Sequence, residues 1–422
     1  MPNATIGTVK AREIINGRGI PAVQVETITE NGFRGIAACP SGVSVSSHEA
    51  VELRDGGRRL MGKGVLKAVQ NIESIIAPKL IGHDVTDQKG IDQVLLEIDG
   101  TPNKSNMGGN AITAVSLSVA RTASAVLGIE PFQYLCDGNR FELPVICANM
   151  ISGSKTAGNA LDFEDYLIVP YGFDTAREAV AAAVEVFHLV HAKLTEQFGL
   201  IAQITALAPP LTSTESVFDL LMEAIDGAGY DGKIGLGIDV AADLFYDGTK
   251  ATYQLGTGAY SPEELISYYK RLTQNYPLVF IEDGLEENDF NGFALMTREL
   301  DCLVVGDDLF ATNAHRLEQG AKLGAANAVL FKINQAGTIS EAFKTVEIAR
   351  ANRYTVFASC RSGETDDPMV ADLAVAVGAK LIKIGAPIRG EMVTKYNRLM
   401  RIEEHLGPKA VYGGKTLFGQ SL

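Results

Sequence analysis

The sequence has few of the features that mark secreted, membrane or nucleic-acid-binding proteins. Its 422 residues include only 5 cysteines, an odd number without Cys-x-x-Cys spacing, which argues against a disulfide framework and a zinc knuckle. The 37 Lys and Arg are outnumbered by 51 Asp and Glu, so the net charge of −14 disfavours binding to a nucleic-acid backbone. We see no apolar run long enough to span a membrane and no signal peptide at the start. We therefore expect a soluble, cytoplasmic protein.

The composition is that of a globular protein with more than one domain. Hydrophobic residues make up 46% of the chain and charged residues 21%. A chain of this length can form two substantial cores, and a change in pattern near residue 135 divides it into 1–135 and 136–422.

Residues 1–135 predict a small α+β domain. Alternating patterns at 23–29 and 33–39, joined by Asn31-Gly32, predict a β-hairpin. A Gly/Ser-rich stretch at 40–47 predicts a mobile loop. Apolar residues at helical spacing then predict three helices, at 64–76, 86–98 and 110–127.

From about Leu143 onward, short apolar runs alternate with longer amphipathic segments. The segments predict helices at 175–198, 216–228, 261–275, 313–323, 338–351 and 368–377. This alternation predicts a parallel sheet surrounded by helices, and about eight strands fit a closed β/α barrel. A doubly wound sheet is the alternative, although no GxGxxG motif follows a strand.

Three successive apolar runs end in carboxylates, at Asp239, Glu282 and Asp307. A β/α barrel collects the carboxyl ends of its strands on one face, so these side chains should converge there. Converging carboxylates need a cation, and oxygen-only ligands favour Mg²⁺. The alternative, that each acid caps a helix, suits a single position better than three in register.

Two later runs contain lysines, Lys332 and Lys383, in otherwise apolar surroundings. A lysine at a sheet edge could reach solvent, but a closed barrel has no edge. Two amines close to each other and to a metal should lower each other's pKa, which would make either a competent general base. Lysine and Mg²⁺ together predict removal of a proton next to a carboxylate.

Long motifs connect the sequence to a known family. They are AREIINGRG (11–19), PSGVSVSSHEAVELRDG (40–56), FIEDGLEENDF (280–290), VVGDDLFATN (304–313), FKINQAGTISEA (331–342), RSGETDD (361–367) and IKIGAP (382–387). On these motifs the chain resembles the enolase family over nearly its whole length. The pairing of lysine with Mg²⁺ that the strand ends suggest is also known chemistry of the enolase superfamily.

The resemblance implies a small α+β domain, a modified β/α barrel, and usually a homodimer with two Mg²⁺ per active site. It implies dehydration of 2-phosphoglycerate, a small anionic substrate, to phosphoenolpyruvate. Motif by motif, it implies these roles: metal ligands Asp239, Glu282 and Asp307; base Lys332; substrate carboxylate contact Lys383; phosphoryl contacts Arg361 and Ser362; and a second-metal ligand, Ser44, on the mobile loop.

The sequence departs from the family pattern around the leaving group. Segment 199–210 contains no acid where enolases have a glutamate that assists departure of the hydroxyl. Thr156 and Cys360 stand where enolases have histidines, and Glu164-Asp165 replaces a Gln-Glu pair. The acid for the leaving group could therefore be Lys155, Glu164, Asp165 or a metal-bound water. We expect Lys155 and Thr156 to face the substrate.

Three functions are compatible with this pattern. The first is a Mg²⁺-dependent lyase acting on an altered phosphorylated or phosphonylated three-carbon acid, similar to carboxyphosphonoenolpyruvate synthases. The second is a conventional enolase with unusual loops. The third is a non-catalytic binding protein derived from an enolase.

Overall fold

The computed structural model describes residues 4–42, 45–136, 138 and 141–417. Its strands are β1 (Ile6–Ile15), β2 (Pro21–Thr29), β3 (Arg34–Cys39), β4 (Val145–Ser152), β5 (Asp165–Val169), β6 (Ala202–Gln203), β7 (Leu207–Ala208), β8 (Gly235–Asp239), β9 (Tyr246–Asp247), β10 (Thr252–Leu255), β11 (Gly258–Tyr260), β12 (Leu278–Glu282), β13 (Leu303–Gly306), β14 (Ala328–Phe331), β15 (Thr355–Ser359) and β16 (Leu381–Ile384).

The α-helices among the described residues include several single turns. They are α1 (Leu66–Asn71), α2 (Ala77–Leu80), α3 (Gln88–Asp99), α4 (Gly109–Leu127), α5 (Pro131–Leu135), α6 (Ser154–Ala157), α7 (Ala176–Phe198), α8 (Thr214–Gly227), α9 (Pro262–Asn275), α10 (Phe290–Glu299), α11 (Ala314–Leu323), α12 (Ile333–Ala336), α13 (Ile339–Ala351), α14 (Met369–Ala376), α15 (Gly390–Leu406) and α16 (Gly414–Leu417). A π-helical stretch, Ile72–Ile76, joins α1 to α2.

The N-terminal domain is an antiparallel sheet, β1-β2-β3, packed against helices. The predicted hairpin is present as β2 and β3, and its turn uses Gly32 with φ +86°, a conformation that glycine adopts without strain. The pairing partner β1 was not predicted from the sequence. Helix α4 covers the sheet, and its polar side chains find partners there: the hydroxyls of Ser118 and Thr27 lie 2.7 Å apart.

Helix α4 bears on the expectation that no segment is long and apolar enough to span a membrane. By length and composition it is apolar enough to cross a membrane, yet 83% of its most apolar window is buried inside the protein. That burial is typical of a core helix, and α4 supplies buried residues along almost its whole length to the N-terminal core.

The C-terminal domain is a closed eight-stranded barrel. The strands follow the order β16-β15-β14-β13-β12-β8-β5-β4, and pairing of β16 with β4 closes the ring. Closure excludes the doubly wound sheet. One strand differs from the expected parallel arrangement: β5 runs antiparallel to both of its neighbours, β4 and β8. Its first residue, Asp165, therefore lies at the same edge as the last residue of β8, Asp239.

The barrel interior is filled with side chains. Phe280 on β12 and Phe357 on β15 contact each other edge to face with ring centroids 5.1 Å apart, although their strands are not neighbours. The two rings must therefore meet inside the barrel. Gly237 makes room for them, because a Cβ at this position would overlap the Phe280 ring. Aromatic side chains thus fill this part of the barrel interior.

Polar contacts join the two domains. Asp92 of α3 accepts hydrogen bonds from the backbone amide and the hydroxyl of Ser340, at 2.9 and 2.7 Å. Lys104 pairs with Glu341 at 2.6 Å, also across the domain boundary. These contacts hold the N-terminal domain against the barrel.

Candidate active site

Strand parity directs the reactive side chains toward the barrel axis. Side chains alternate along a strand, so Glu282 shares the inner face of β12 with Phe280. Asp239 shares a face of β8 with Gly237 in the same way. Asp307 and Lys332 directly follow β13 and β14, and Lys383 lies near the end of β16. The predicted strand-end residues therefore lie on one face of the barrel.

Lys383 joins two of the predicted metal ligands. Its Nζ lies 2.5 Å from Oδ2 of Asp239 and 2.9 Å from each carboxylate oxygen of Glu282. Both carboxylates therefore point at the same position, which the ammonium group of Lys383 occupies. Glu282 is fully buried, and burial, reinforced by Asp239, raises its pKa well above the ordinary value.

The donor set fits a hard divalent cation. Two of the predicted ligands, Glu282 and Asp307, have carboxylate oxygens within 4.8 Å of each other and of Asp283, and all three residues are buried. The third predicted ligand, Asp239, is not part of this cluster and is instead paired with Lys383. Asp283 has a further task, because its oxygens accept the backbone amides of Asp307 and Asp308, both at 2.9 Å. Asp283 was missed from the sequence; it fixes the backbone that carries Asp307.

Lys332 forms an ion pair with Asp307. Burial opposes the charge on Lys332 and is the largest single influence on it, but the carboxylates of Asp307 and Glu282 together raise the pKa of Lys332 by more. For Lys383, too, burial is outweighed by Asp239 and Glu282, and its pKa is raised well above the ordinary value. Lys383 does lower the pKa of Lys332, as expected from the sequence, but without a metal the neighbouring carboxylates raise the pKa of each lysine by more.

Glu164 and Asp165 form the wall opposite Lys332. Four strand steps separate β5 from β14 in either direction around the eight-stranded ring, so the two strands face each other across the barrel. Burial raises the pKa of Glu164 to about 8, and Asp239 adds to this effect. Burial also raises the pKa of Asp165 to about 6 despite the nearby Lys383. Ser152 donates a 3.0 Å hydrogen bond to Asp165.

A pocket opens among these groups. The predicted residues that line it are Glu164, Asp165, Asp239, Lys332, Cys360, Arg361, Ser362 and Lys383. Asn149, Thr205, Ser359 and Met392 also line it and were not predicted. Thr205 belongs to the divergent segment 199–210, and its hydroxyl lies 3.1 Å from that of Ser152. The amide oxygen of Asn149 is buried without a partner among the described residues.

Two of the predicted residues, Lys155 and Thr156, do not line this pocket. Lys155 donates to the carbonyl of Leu244 at 3.1 Å, outside the lining. Thr156 donates to the carbonyl of Gly153 at 3.1 Å. Ser44 lies outside the described residues. Substrate contact by Lys155 and Thr156 and metal ligation by Ser44 stay predictions.

Comparison with known proteins agrees with this geometry. The family model "Enolase, N-terminal domain" matches residues 6–135, and "Enolase, C-terminal TIM barrel domain" matches 140–421. The enolase of Methanopyrus kandleri is 49% identical over 98% of this chain and 99% of its own length. The enolase of Methanothrix thermoacetophila is 47% identical over 97% and 98%, and that of Pyrococcus furiosus 47% over 98% of both chains. Because both domain models match and these relatives align over nearly the whole chain, this chain belongs to the enolase family, whose members are carbon–oxygen lyases.

Proposed function

We propose that this protein is a conventional enolase, which dehydrates 2-phosphoglycerate to phosphoenolpyruvate with Mg²⁺. The observation that carries the proposal is the placement of Lys332 opposite Glu164 and Asp165 across one pocket. A base and an acid on opposite walls suit an elimination in which a proton leaves one face of the substrate and a hydroxyl leaves the other.

The first step is removal of the proton on C2 of the substrate. Lys332, once its ammonium group has released a proton to solvent, accepts the C2 proton, and the electron pair moves toward the substrate carboxylate. Lys383 and Arg361 offer positive charge to the carboxylate and the phosphoryl group, and Ser362 adds a hydroxyl at the phosphoryl end. Bound to Asp239, Glu282 and Asp307, Mg²⁺ would stabilise the charge that builds up on that carboxylate and compete with Lys332 for Asp307. A second Mg²⁺ with Ser44 among its ligands is part of the proposal.

The second step breaks the bond from C3 to its hydroxyl. The C2–C3 double bond forms, and the hydroxyl leaves as water after receiving a proton. Glu164 and Asp165 are the acids on that wall, and the raised pKa of Glu164, about 8, keeps it protonated near neutral pH. Lys155 does not line the pocket, so these two carboxyl groups are the stronger candidates for the donor.

An altered substrate is the second candidate, and one observation favours it. The described lining of the pocket contains Cys360 and Thr205 but no histidine, so its leaving-group end is less charged than the family pattern implies. A phosphonylated three-carbon acid of the kind used by carboxyphosphonoenolpyruvate synthases would fit a pocket changed in this way. The relatives, all named enolases, favour the conventional reaction.

The deciding experiment supplies 2-phosphoglycerate and Mg²⁺ in D₂O and follows both phosphoenolpyruvate formation and exchange of the C2 proton. Turnover within about two orders of magnitude of a typical rate of roughly 10 s⁻¹ is expected. Exchange without product would overturn the conventional reaction and favour the altered substrate. Neither exchange nor a Mg²⁺-dependent rise in melting temperature would favour a non-catalytic protein. The size of the particle in solution tests the expected homodimer.

A further inference from the structure

Glu49, a residue of the N-terminal domain, is buried against the barrel. It follows the Gly/Ser-rich loop, and its side chain is only 4% exposed. Its oxygens accept two hydrogen bonds from Arg361, at 2.7 Å from Nη1 and 3.2 Å from Nη2. This bidentate pair spans 312 positions of the sequence and joins the two domains. Such pairs fix the orientation of a guanidinium as well as its charge.

The same carboxylate is connected to one proposed metal ligand, Asp307. Nε2 of Gln335 donates to Oε1 of Glu49 at 3.3 Å and to Oδ1 of Asp307 at 2.9 Å. The amide oxygen of Gln335 is held in turn by the hydroxyl of Thr312 at 2.6 Å. All four residues are buried, so water does not compete for these bonds.

Glu49 also holds the loop that precedes it. Its Oε1 accepts the backbone amide of Ser46 at 3.2 Å. The backbone of Ala50 donates to the carbonyl of Gln335 at 2.9 Å, which seats this segment on the barrel. Arg361, Asp307 and the loop are therefore all connected through one carboxylate.

We propose that Glu49 is a positioning residue that holds Arg361 at the pocket and, through Gln335, holds Asp307 in its place. This role rests on the proposed function, in which Arg361 binds the phosphoryl group and Asp307 a metal ion. The N-terminal domain then contributes to the site through a residue buried against the barrel. Glu49 itself does not line the pocket.

The test compares Glu49→Gln, Arg361→Lys and the double variant. Calorimetry measures the affinity for phosphoenolpyruvate with and without Mg²⁺, and steady-state kinetics measure kcat and KM for 2-phosphoglycerate. An amide cannot accept both guanidinium hydrogen bonds, so Glu49→Gln is expected to weaken phosphoenolpyruvate binding by about tenfold or more. Because Glu49 acts through Arg361, the double variant should bind no more weakly than Arg361→Lys alone.

Two further variants separate positioning from folding. Gln335→Met should reduce the Mg²⁺-dependent rise in melting temperature and leave metal-free phosphoenolpyruvate affinity within about twofold. Glu341→Gln is the matched control, because it removes another ion pair between the domains, with Lys104, and neither residue lines the pocket. It should leave affinity and kinetics within about twofold.

Three outcomes would overturn the proposal. Unchanged or tighter phosphoenolpyruvate binding by Glu49→Gln would mean that Glu49 merely competes for Arg361 or only supports the fold. Additive effects in the double variant would show that Glu49 does not act through Arg361. If the wild type binds no phosphoenolpyruvate, the proposal falls together with the proposed function. If it binds this ligand without turning over 2-phosphoglycerate, only the proposed function fails, and the affinities still decide the role of Glu49.

Discussion

The ammonium group of Lys383 lies 2.5 Å from a carboxylate oxygen of Asp239, although the two residues are 144 positions apart in the sequence. The same ammonium lies 2.9 Å from both oxygens of Glu282. Lys383 therefore offsets the repulsion between two buried carboxylates at the place where a divalent cation is proposed to bind. The stability of the protein and its affinity for metal should be linked through this lysine.

Replacing Lys383 tests that link. Lys383→Met leaves buried carboxylates without their partner, so the Mg²⁺-free protein should lose roughly 3–5 kcal/mol of unfolding free energy. Mg²⁺ would offset more negative charge in this variant. It should therefore raise the unfolding free energy of Lys383→Met by more than it raises that of the wild type. Thermal and urea denaturation with and without Mg²⁺ measure both effects. Lys380→Met removes a more exposed ion pair with Glu142 and should cost about 1 kcal/mol or less. A smaller Mg²⁺ effect in Lys383→Met than in the wild type would contradict the link.

Lys332 should be required for the first chemical step. Lys332→Met removes the amine placed to accept the C2 proton, so exchange of that proton in D₂O should slow by about 10²–10⁴-fold. Proton NMR of 2-phosphoglycerate with Mg²⁺ measures the exchange. Lys270→Met, which breaks a surface pair with Glu299, is the control and should exchange at the wild-type rate. Exchange that persists in Lys332→Met would assign the base to another residue.

Glu164 and Asp165 should act only in the second step. Glu164→Gln and Asp165→Asn remove acidic protons from the wall opposite Lys332, so dehydration should slow by roughly 10²-fold or more. Exchange of the C2 proton should continue, because Lys332 is intact. Parallel measurement of phosphoenolpyruvate and of deuterium at C2 separates the steps. Equal loss of both rates would show that these carboxyl groups support substrate binding or the fold.

Glu164 should also make stability depend on pH in the Mg²⁺-free protein. Its pKa rises from the ordinary 4.5 to about 8 on folding, chiefly through burial. The folded state therefore holds a proton that the unfolded state releases, and stability should fall as pH rises from about 4.5 to about 8. Urea unfolding in EDTA measures the unfolding free energy across this pH range. This free energy should fall less steeply with pH for Glu164→Gln than for the wild type. Glu73→Gln, a control at an exposed helical position, should lose unfolding free energy with rising pH as steeply as the wild type does.

Gly42 should be needed to seat Arg361. A Cβ at this position would overlap Nη2 of Arg361, so Gly42→Ala must displace the guanidinium. KM for 2-phosphoglycerate should rise by about tenfold, because the displaced group is the proposed phosphoryl contact. Gly227→Ala is the control: its Cβ would meet only Leu189, at 3.9 Å, and helix α8 should be unharmed or stabilised. An unchanged KM in Gly42→Ala would place the phosphoryl group elsewhere.

The sequence predicted the barrel and its functional face because both depend on local periodicity. Apolar runs ending in Asp239, Glu282 and Asp307 coincide with β8, β12 and β13 to within one or two residues. The helix predicted at 261–275 is α9, and a capping box of Ser261 with Glu264 marks its start. Strand β1 was missed from the sequence. The antiparallel direction of β5 was missed as well, because strand direction depends on partners distant in sequence.

The chain by itself therefore determined the two kinds of domain, the family and the set of carboxylates and cations at the strand ends. Only the tertiary structure decided which charges are neighbours. It paired Lys383 with Asp239 and Glu282, raised the pKa of both lysines where the sequence suggested lowering, and left Lys155 and Thr156 outside the pocket. It also brought Glu49 to Arg361. Electrostatic energies fall off with distance and depend on burial, and neither quantity can be read from positions along a chain.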